Sequence, residues 1–345
     1  MLRRSKLKTL HWGKDLLPGD LPADEIDFLR LLAGPTLIVV PGIDPKRTRV
    51  VTTLLHANEP SGFRAMLGWL RAGRRPATNA MLLIACVDTA LHEPALSFRH
   101  LPDRRDFNRC FSPPWIDEEG VLAEEILSVI AAARPECLVD IHNNTGHNPP
   151  YGVAVTLGNQ DLALVDLFAD RVVHAPLSLG TLVEGALEGC PSVTIECGRA
   201  GDSVADAVAE EGLTKLLERA DLDLAGPVRR MRILDEPIRV CVANDVDLAF
   251  GDSPDPEACL TISADIDRHN FEVLPAGAAI GWITPDSRWP LDARRPDGQE
   301  CSRELFEVHD NVLVTRSDFI PIMMTTKPVI AKSDCLFYAA RDSRA

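Results

Sequence analysis

The strongest constraint on this chain is an alternation, running from residue 24 to residue 220, between short apolar runs and amphipathic stretches. TLIVV (36–40), RVVTTLL (49–55), AMLLIACV (80–87), CLVDI (137–141), VAVTL (153–157) and SVTIE (192–196) read as strands. Their near-continuous Val, Ile and Leu content suits strands covered on both faces. SGFRAMLGWLRAG (61–73), EEGVLAEEILSVIAAARP (118–135) and DSVADAVAEEGLTKLLERA (202–220) carry apolar residues at three-to-four spacing, as helices do. The second opens on acidic residues and closes on Arg134-Pro135, which matches the helix dipole and a proline stop. Such alternation predicts an α/β fold with a mostly parallel or mixed central sheet flanked by helices.

Beyond residue 235 the texture changes. RVCVAND, ACLTISAD, NFEVLP, AAIGWIT and NVLVT are short strand-like pieces separated by Pro, Gly and Asp turns. They predict a smaller C-terminal all-β domain without a helix. The expected division is an α/β domain over residues 1–235 and a β domain over 236–345.

Composition narrows the function. The 345 residues are 46% hydrophobic, ample for a core, and no apolar run approaches the roughly 20 residues that span a bilayer. The basic opening MLRRSKLKTLHWGKD lacks the apolar stretch of a signal peptide. Nine cysteines are scattered without a CxxC pair, and several lie in or beside strand-like runs. They are expected to be reduced, which points to a cytoplasmic protein. A formal charge of −15 argues against nucleic acid as a partner. No membrane partner is expected, and the oligomeric state stays open, a homo-oligomer included.

Three strand ends carry polar residues that a core has no use for. His56-Ala57-Asn58-Glu59 follows the second run; His142 opens HNNTGHNPPYG at the end of CLVDI; Glu196 ends SVTIE. In open α/β sheets ligands bind outside the carboxyl ends of strands, so the three ends propose one pocket. Taken singly each is weak, because HxxE arises by chance and a strand-end histidine or glutamate is often merely hydrogen-bonded. Jointly they suggest a metal: catalytic zinc favours three protein ligands, and His/Glu/His is a usual set.

The ordered series His56-x-x-Glu59, DFNR (106–109), DIHNNT (140–145) and IECG (195–198) resembles the motifs of the succinylglutamate desuccinylase/aspartoacylase family, relatives of the zinc carboxypeptidases. The resemblance covers roughly residues 35–235 and implies a zinc carboxypeptidase-like fold with a β appendage. It implies one Zn2+ per chain held by His56, Glu59 and His142, with Glu196 as general base and Asn108-Arg109 binding a substrate carboxylate. Asp106 would orient a zinc-bound imidazole, that of His56, and Arg104 or Arg105 would stabilise the oxyanion. The chemistry agrees, since zinc can lower the pKa of bound water from about 15.7 to about 7.

Arg99, Arg104, Arg105 and Arg109 lie within SFRHLPDRRDFNR, where they form either a solvated basic loop or a well for an anionic substrate, with Arg109 holding a carboxylate by a planar fork. His147 reads either as a substrate contact or, as is commoner for a loop histidine, as a solvated residue, Asp140 as a neighbour of the site or of backbone, and Cys110 and Cys197 as packing residues. Ala57 stands where the family has glycine. Only Tyr151 and Tyr338 are present, so the late tyrosine of the family is missing, with His309 or Asn311 in that region instead. The expected function is therefore hydrolysis of the amide of an N-acyl amino acid or similar small, anionic, carboxylate-bearing amide. The alternatives are a metallocarboxypeptidase acting on peptides and a non-catalytic metal- or ligand-binding protein.

Overall fold

The computed structural model describes residues 7–343 apart from 177–178, 186–188, 227, 229, 286 and 296; the basic opening residues 1–6 lie outside this set. The chain divides into two compact units. The first comprises Met1–Asn143, Pro150–Val172 and Pro176–Met231; the second comprises Asn144–Pro149, Val173–Ala175 and Arg232–Ala345.

The strands of the first unit are β1 (Lys8–His11), β2 (Thr36–Val40), β3 (Asp44–Thr53), β4 (Thr78–Ile84), β5 (Cys137–Asn144), β6 (Tyr151–Ala154), β7 (Arg171–His174, entering the second unit at Val173) and β8 (Ser192–Arg199). They lie in the order β1-β2-β4-β3-β5-β8-β6-β7. β3 is parallel to both β4 and β5, β2 is antiparallel to β4, and β6 is antiparallel to β8, so the sheet is mixed. Every residue of β5 is buried, the polar Asp140, His142, Asn143 and Asn144 included, as in a strand covered on both faces.

The helices are α1 (Glu25–Leu32), α2 (Ser61–Arg71), α3 (Val87–Ala90), α4 (Glu118–Ala133), α5 (Asn159–Val165), α6 (Leu182–Gly185) and α7 (Ser203–Glu218). Asp117 caps α4 by accepting from the Gly120 N–H, and the helix ends where Arg134 turns to φ 44° ahead of Pro135. α2 starts hard against the sheet: a Cβ on Gly62 would stand 2.8 Å from Ile141 Cβ of β5. Glycine is required there for the close approach.

Of the run VAVTL only Val153 and Ala154 lie in a strand, β6, which begins earlier at Tyr151; the short β1 and β7 were not legible as strands, being only four residues each.

The second unit contains β9 (Arg232–Val242), β10 (Leu248–Gly251), β11 (Leu260–Ser263), β12 (Ala279–Ile283), β13 (Leu291–Arg294), β14 (Phe306–His309), β15 (Val312–Thr315), β16 (Ile320–Ile322) and β17 (Phe337–Asp342). β10-β11-β12-β15-β14 form a separate five-stranded sheet, while β9 is flanked by β13 and β17, with β16 beyond β17. Phe319 stacks on Phe337, and Phe306 meets both edge-on, at the centre of its core. The unit is not purely β: α8 (Ser302–Leu305) and α9 (Pro328–Ser333) are short helices. At four and six residues they are too short to show a helical period. NFEVLP forms no strand and contributes only an isolated bridge at Leu274.

Arg49 on β3 is fully buried. Its guanidinium pairs with Glu136 and donates to the Leu216 and Arg219 carbonyls at 2.6 and 2.7 Å, satisfying the otherwise orphaned end of α7. Arg49→Ala leaves these acceptors and Glu136 without their buried donor. Urea unfolding should show a loss of about 3–5 kcal/mol, the usual cost of breaking a buried ion pair. A loss under about 1 kcal/mol, the scale of a surface pair, would contradict that assignment.

Candidate metal centre

The first part of the site grows from the end of β3. Leu54 takes φ 54°, a conformation that non-glycine residues adopt rarely, and the chain turns there into His56-Ala57-Asn58-Glu59. The Ala57 N–H donates to the Arg99 carbonyl at 3.2 Å, which fixes this loop against the segment that follows α3. The second part is the end of β5, where Asp140 and His142 share one face by strand alternation.

His56, Glu59 and His142 meet. Their ligand atoms lie within 4.8 Å of one another, and the three side chains are buried at 5%, 5% and 2% exposure. Glu59 Oε1 is 2.9 Å from His56 Nδ1, and Glu59 Oε2 is 2.6 Å from His142 Nδ1. Each imidazole turns its other nitrogen to a further carboxylate. His56 Nε2 is 3.1 Å from Asp106 Oδ1, and His142 Nε2 is 2.7 Å from Asp140 Oδ2, whose other oxygen accepts from Thr52 Oγ1.

Charge balance follows from this packing. Burial alone would raise the Glu59 carboxyl, but His56 and His142 hold it well below the usual carboxylate range. Burial would likewise raise Asp106, which is held low by His56, Arg99 and Arg109. Burial lowers His142, yet Asp140 and Glu59 override it and raise the imidazole well above its usual value. Glu196, on β8 opposite Tyr151, goes the other way: burial pushes it up to about 8, and the negative charge of Glu59 adds to the effect. Its Oε2 is buried without a hydrogen-bond partner.

Arg99 is the cation at this cluster. It donates from Nε to Asp106 Oδ2 at 3.0 Å, and its Nη1 lies 3.7 Å from Glu59 Oε1. Arg104 and Arg105 are not brought here. Half-exposed, they pair with Glu119 at 3.1 Å and with Asp117 at 2.5 Å, the acidic start of α4. Nothing in the run of arginines distinguishes Arg99 in advance; the backbone bond from Ala57 does. Asn108 is buried, accepting from the Leu182 N–H at 3.0 Å, with Nδ2 3.5 Å from His142 Nε2. Arg109 is half-buried and donates to the Asn108 carbonyl at 2.8 Å. His147 is exposed, and His309 is exposed beside Glu307 at 3.1 Å.

The donors suit a divalent cation of the zinc type: two imidazole nitrogens and a carboxylate converge, and each imidazole is held by a carboxylate behind it. Among the described residues no helix is long and apolar enough to cross a membrane.

No protein-family model matches the chain, and no curated protein does. Solved structures do. A succinylglutamate desuccinylase/aspartoacylase from Rhodobacter sphaeroides is similar at 17% identity over 88% of this chain and 87% of that one, with TM-score 0.57. A succinylglutamate desuccinylase from Vibrio parahaemolyticus is similar at 13% identity over 88% and 86%, again with TM-score 0.57. Murine aminoacylase 3 follows at 15% identity over 86% and 96%, with TM-score 0.51. At such identities the likeness is one of fold. This chain has the fold of the succinylglutamate desuccinylase/aspartoacylase proteins.

Glu196 yields a test that needs no substrate. A carboxyl whose folded value, about 8, exceeds its unfolded one binds a proton more tightly when folded, so its contribution to stability is lost as pH rises toward 8. In chelator-treated protein, wild type should lose more unfolding free energy between pH 5 and pH 8 than Glu196→Gln does. Parallel pH profiles for the two would contradict the raised value.

Proposed function

We propose that this chain is a zinc-dependent amidohydrolase of the desuccinylase/aspartoacylase type, cleaving the amide of an N-acyl amino acid or a similar small carboxylate-bearing amide. The observation that carries the reading is the buried His56–Glu59–His142 cluster beside Glu196, a second buried carboxylate with an unsatisfied oxygen. The names of the solved relatives, which are desuccinylases, aspartoacylases and an aminoacylase, favour deacylation over peptide trimming.

His56, Glu59 and His142 would hold the metal, one ion per chain, and Asp106 and Asp140 would keep the two imidazoles turned toward it. Such a cation polarises a carbonyl and supplies a nucleophile at neutral pH. The rest falls to the chain's own residues. Glu196 Oε2, having no other partner, takes the proton of the attacking water and passes it to the leaving amine nitrogen. His142 and Arg99 act against the burial and against Glu59, and their positive charge favours the ionised form that this needs. Arg99, rather than Arg104 or Arg105, faces the charge that develops on the carbonyl oxygen, because it alone of the three stands at Glu59. Arg109 holds a substrate carboxylate by two parallel N–H bonds, with Asn108 beside it.

Glu196→Gln removes the proton acceptor and spares the three ligands. Elemental analysis should still find near one zinc, while turnover of acyl-amino acids falls about 10²–10⁴-fold. Loss of the metal would make Glu196 a ligand; retention of both metal and activity would place the base elsewhere. Arg109→Lys keeps the charge and loses the fork. Its kcat/KM on carboxylate-bearing substrates should fall by the equivalent of about 1–3 kcal/mol, and unchanged kinetics would remove Arg109 from substrate binding.

A further inference from the structure

Asn143 follows His142 on β5, and strand alternation sends its side chain to the opposite face. It is buried at 1% exposure. Oδ1 accepts from the Ser61 N–H at 3.0 Å, and Nδ2 donates to Ser61 Oγ at 2.9 Å and to the Gly198 carbonyl at 3.1 Å. The amide thus uses both of its hydrogens and an oxygen lone pair. Its backbone N–H donates to Glu59 Oε2 at 3.2 Å.

Where these bonds end matters more than their number. Ser61 lies two residues after Glu59, and Gly198 lies two residues after Glu196. Pro60, at the N-cap of α2, offers no side-chain cap, so Asn143 supplies one from the neighbouring strand. Ser61 Oγ in turn donates to Asp206 of α7 at 2.5 Å. One side chain therefore ties together the three segments that carry Glu59, His142 and Glu196.

We propose that Asn143 is a positioning residue whose amide sets the mutual placement of the Glu59, His142 and Glu196 segments, fixing both the metal affinity of the cluster and the aim of Glu196. It touches neither substrate nor cation. The inference rests on the proposed function, and it assigns the two ends of the amide different duties. The bond to the Ser61 N–H holds the Glu59 turn, hence the metal. The bond to the Gly198 carbonyl holds the end of β8, hence the base.

The test compares wild type, Asn143→Ala and Asn143→Asp as full chains. Zinc affinity is read by competition with a chromophoric chelator, alongside the Co2+ absorption spectrum, acyl-amino acid kinetics and urea unfolding. The alanine variant loses every side-chain bond. Its zinc affinity should fall about 10–100-fold, the usual effect of removing a residue that orients ligands, with an altered cobalt spectrum and a cooperative unfolding transition. The aspartate variant keeps an acceptor for the Ser61 N–H and loses both donors. Its zinc affinity should stay within about tenfold of wild type, while kcat falls roughly 10–100-fold with little change in KM, as misplacing a catalytic group by about 1 Å does. A folded alanine variant with wild-type zinc affinity and cobalt spectrum overturns the proposal. Loss of cooperative unfolding in both variants assigns Asn143 to stability alone and also overturns it. A wild type that holds no zinc overturns the proposed function and this inference together, so the wild-type measurement tells the two failures apart.

Discussion

A carboxylate taken out of water costs several kcal/mol unless charges and donors replace the solvent, and Glu59 is the residue for which this protein must meet that cost. The two imidazoles and the Asn143 N–H replace it. Each imidazole is then committed at both ends, because Asp106 and Asp140 take the nitrogens that Glu59 does not. Ring orientation is thereby fixed. With Nε2–H given to a carboxylate, Nδ1 of each ring is the atom presented to the centre. The geometry that stabilises a buried anion is also one that presents three donors to a common point. Glu59 and Asp140 raise the His142 value, and a divalent cation at this point would offset the same negative charge.

Much of this was readable in the sequence, for a definite reason. The second half of β3, all of β5 and the middle of β8 are buried, with apolar residues prevailing in the runs RVVTTLL, CLVDI and SVTI, and His56, His142 and Glu196 at the ends of those runs stand out as residues burial would not select. Strand direction then brings the ends together: β3 and β5 are parallel neighbours. What the sequence could not display was set by contacts distant along the chain. Asn143 looked like one more polar residue in HNNT, because its meaning lies in Ser61 and Gly198, 82 and 55 positions away. The short helices and four-residue strands were lost for a simpler cause, since a single turn or two pleats carry no period to detect.

The four arginines between residues 99 and 109 show how one basic run divides in space. Arg104 and Arg105 answer the acidic start of α4, at Asp117 and Glu119, and are spent on exposed pairs that contribute little to stability. Arg99 is carried elsewhere because its own carbonyl accepts the Ala57 N–H, which draws its guanidinium to Asp106 and Glu59. Side chains six residues apart in a loop thus serve unrelated ends. Charge counting along a sequence reports the sum of them and not the partition.

Likeness of fold at 13–17% identity carries no chemistry with it, because one sheet can host unrelated sites. The case for a catalyst over a metal-binding protein depends instead on how the two buried glutamates at the strand ends are partnered. Glu59 and Glu196 are both glutamates, both at least nine-tenths buried, and burial acts on both in the same direction. Two imidazoles meet the first and hold it ionised; no partner meets Oε2 of the second, and it rises toward neutrality. One is thereby fitted to hold a cation, the other to gain and lose a proton near neutral pH. A site serving only to bind metal has use for the first and none for the second.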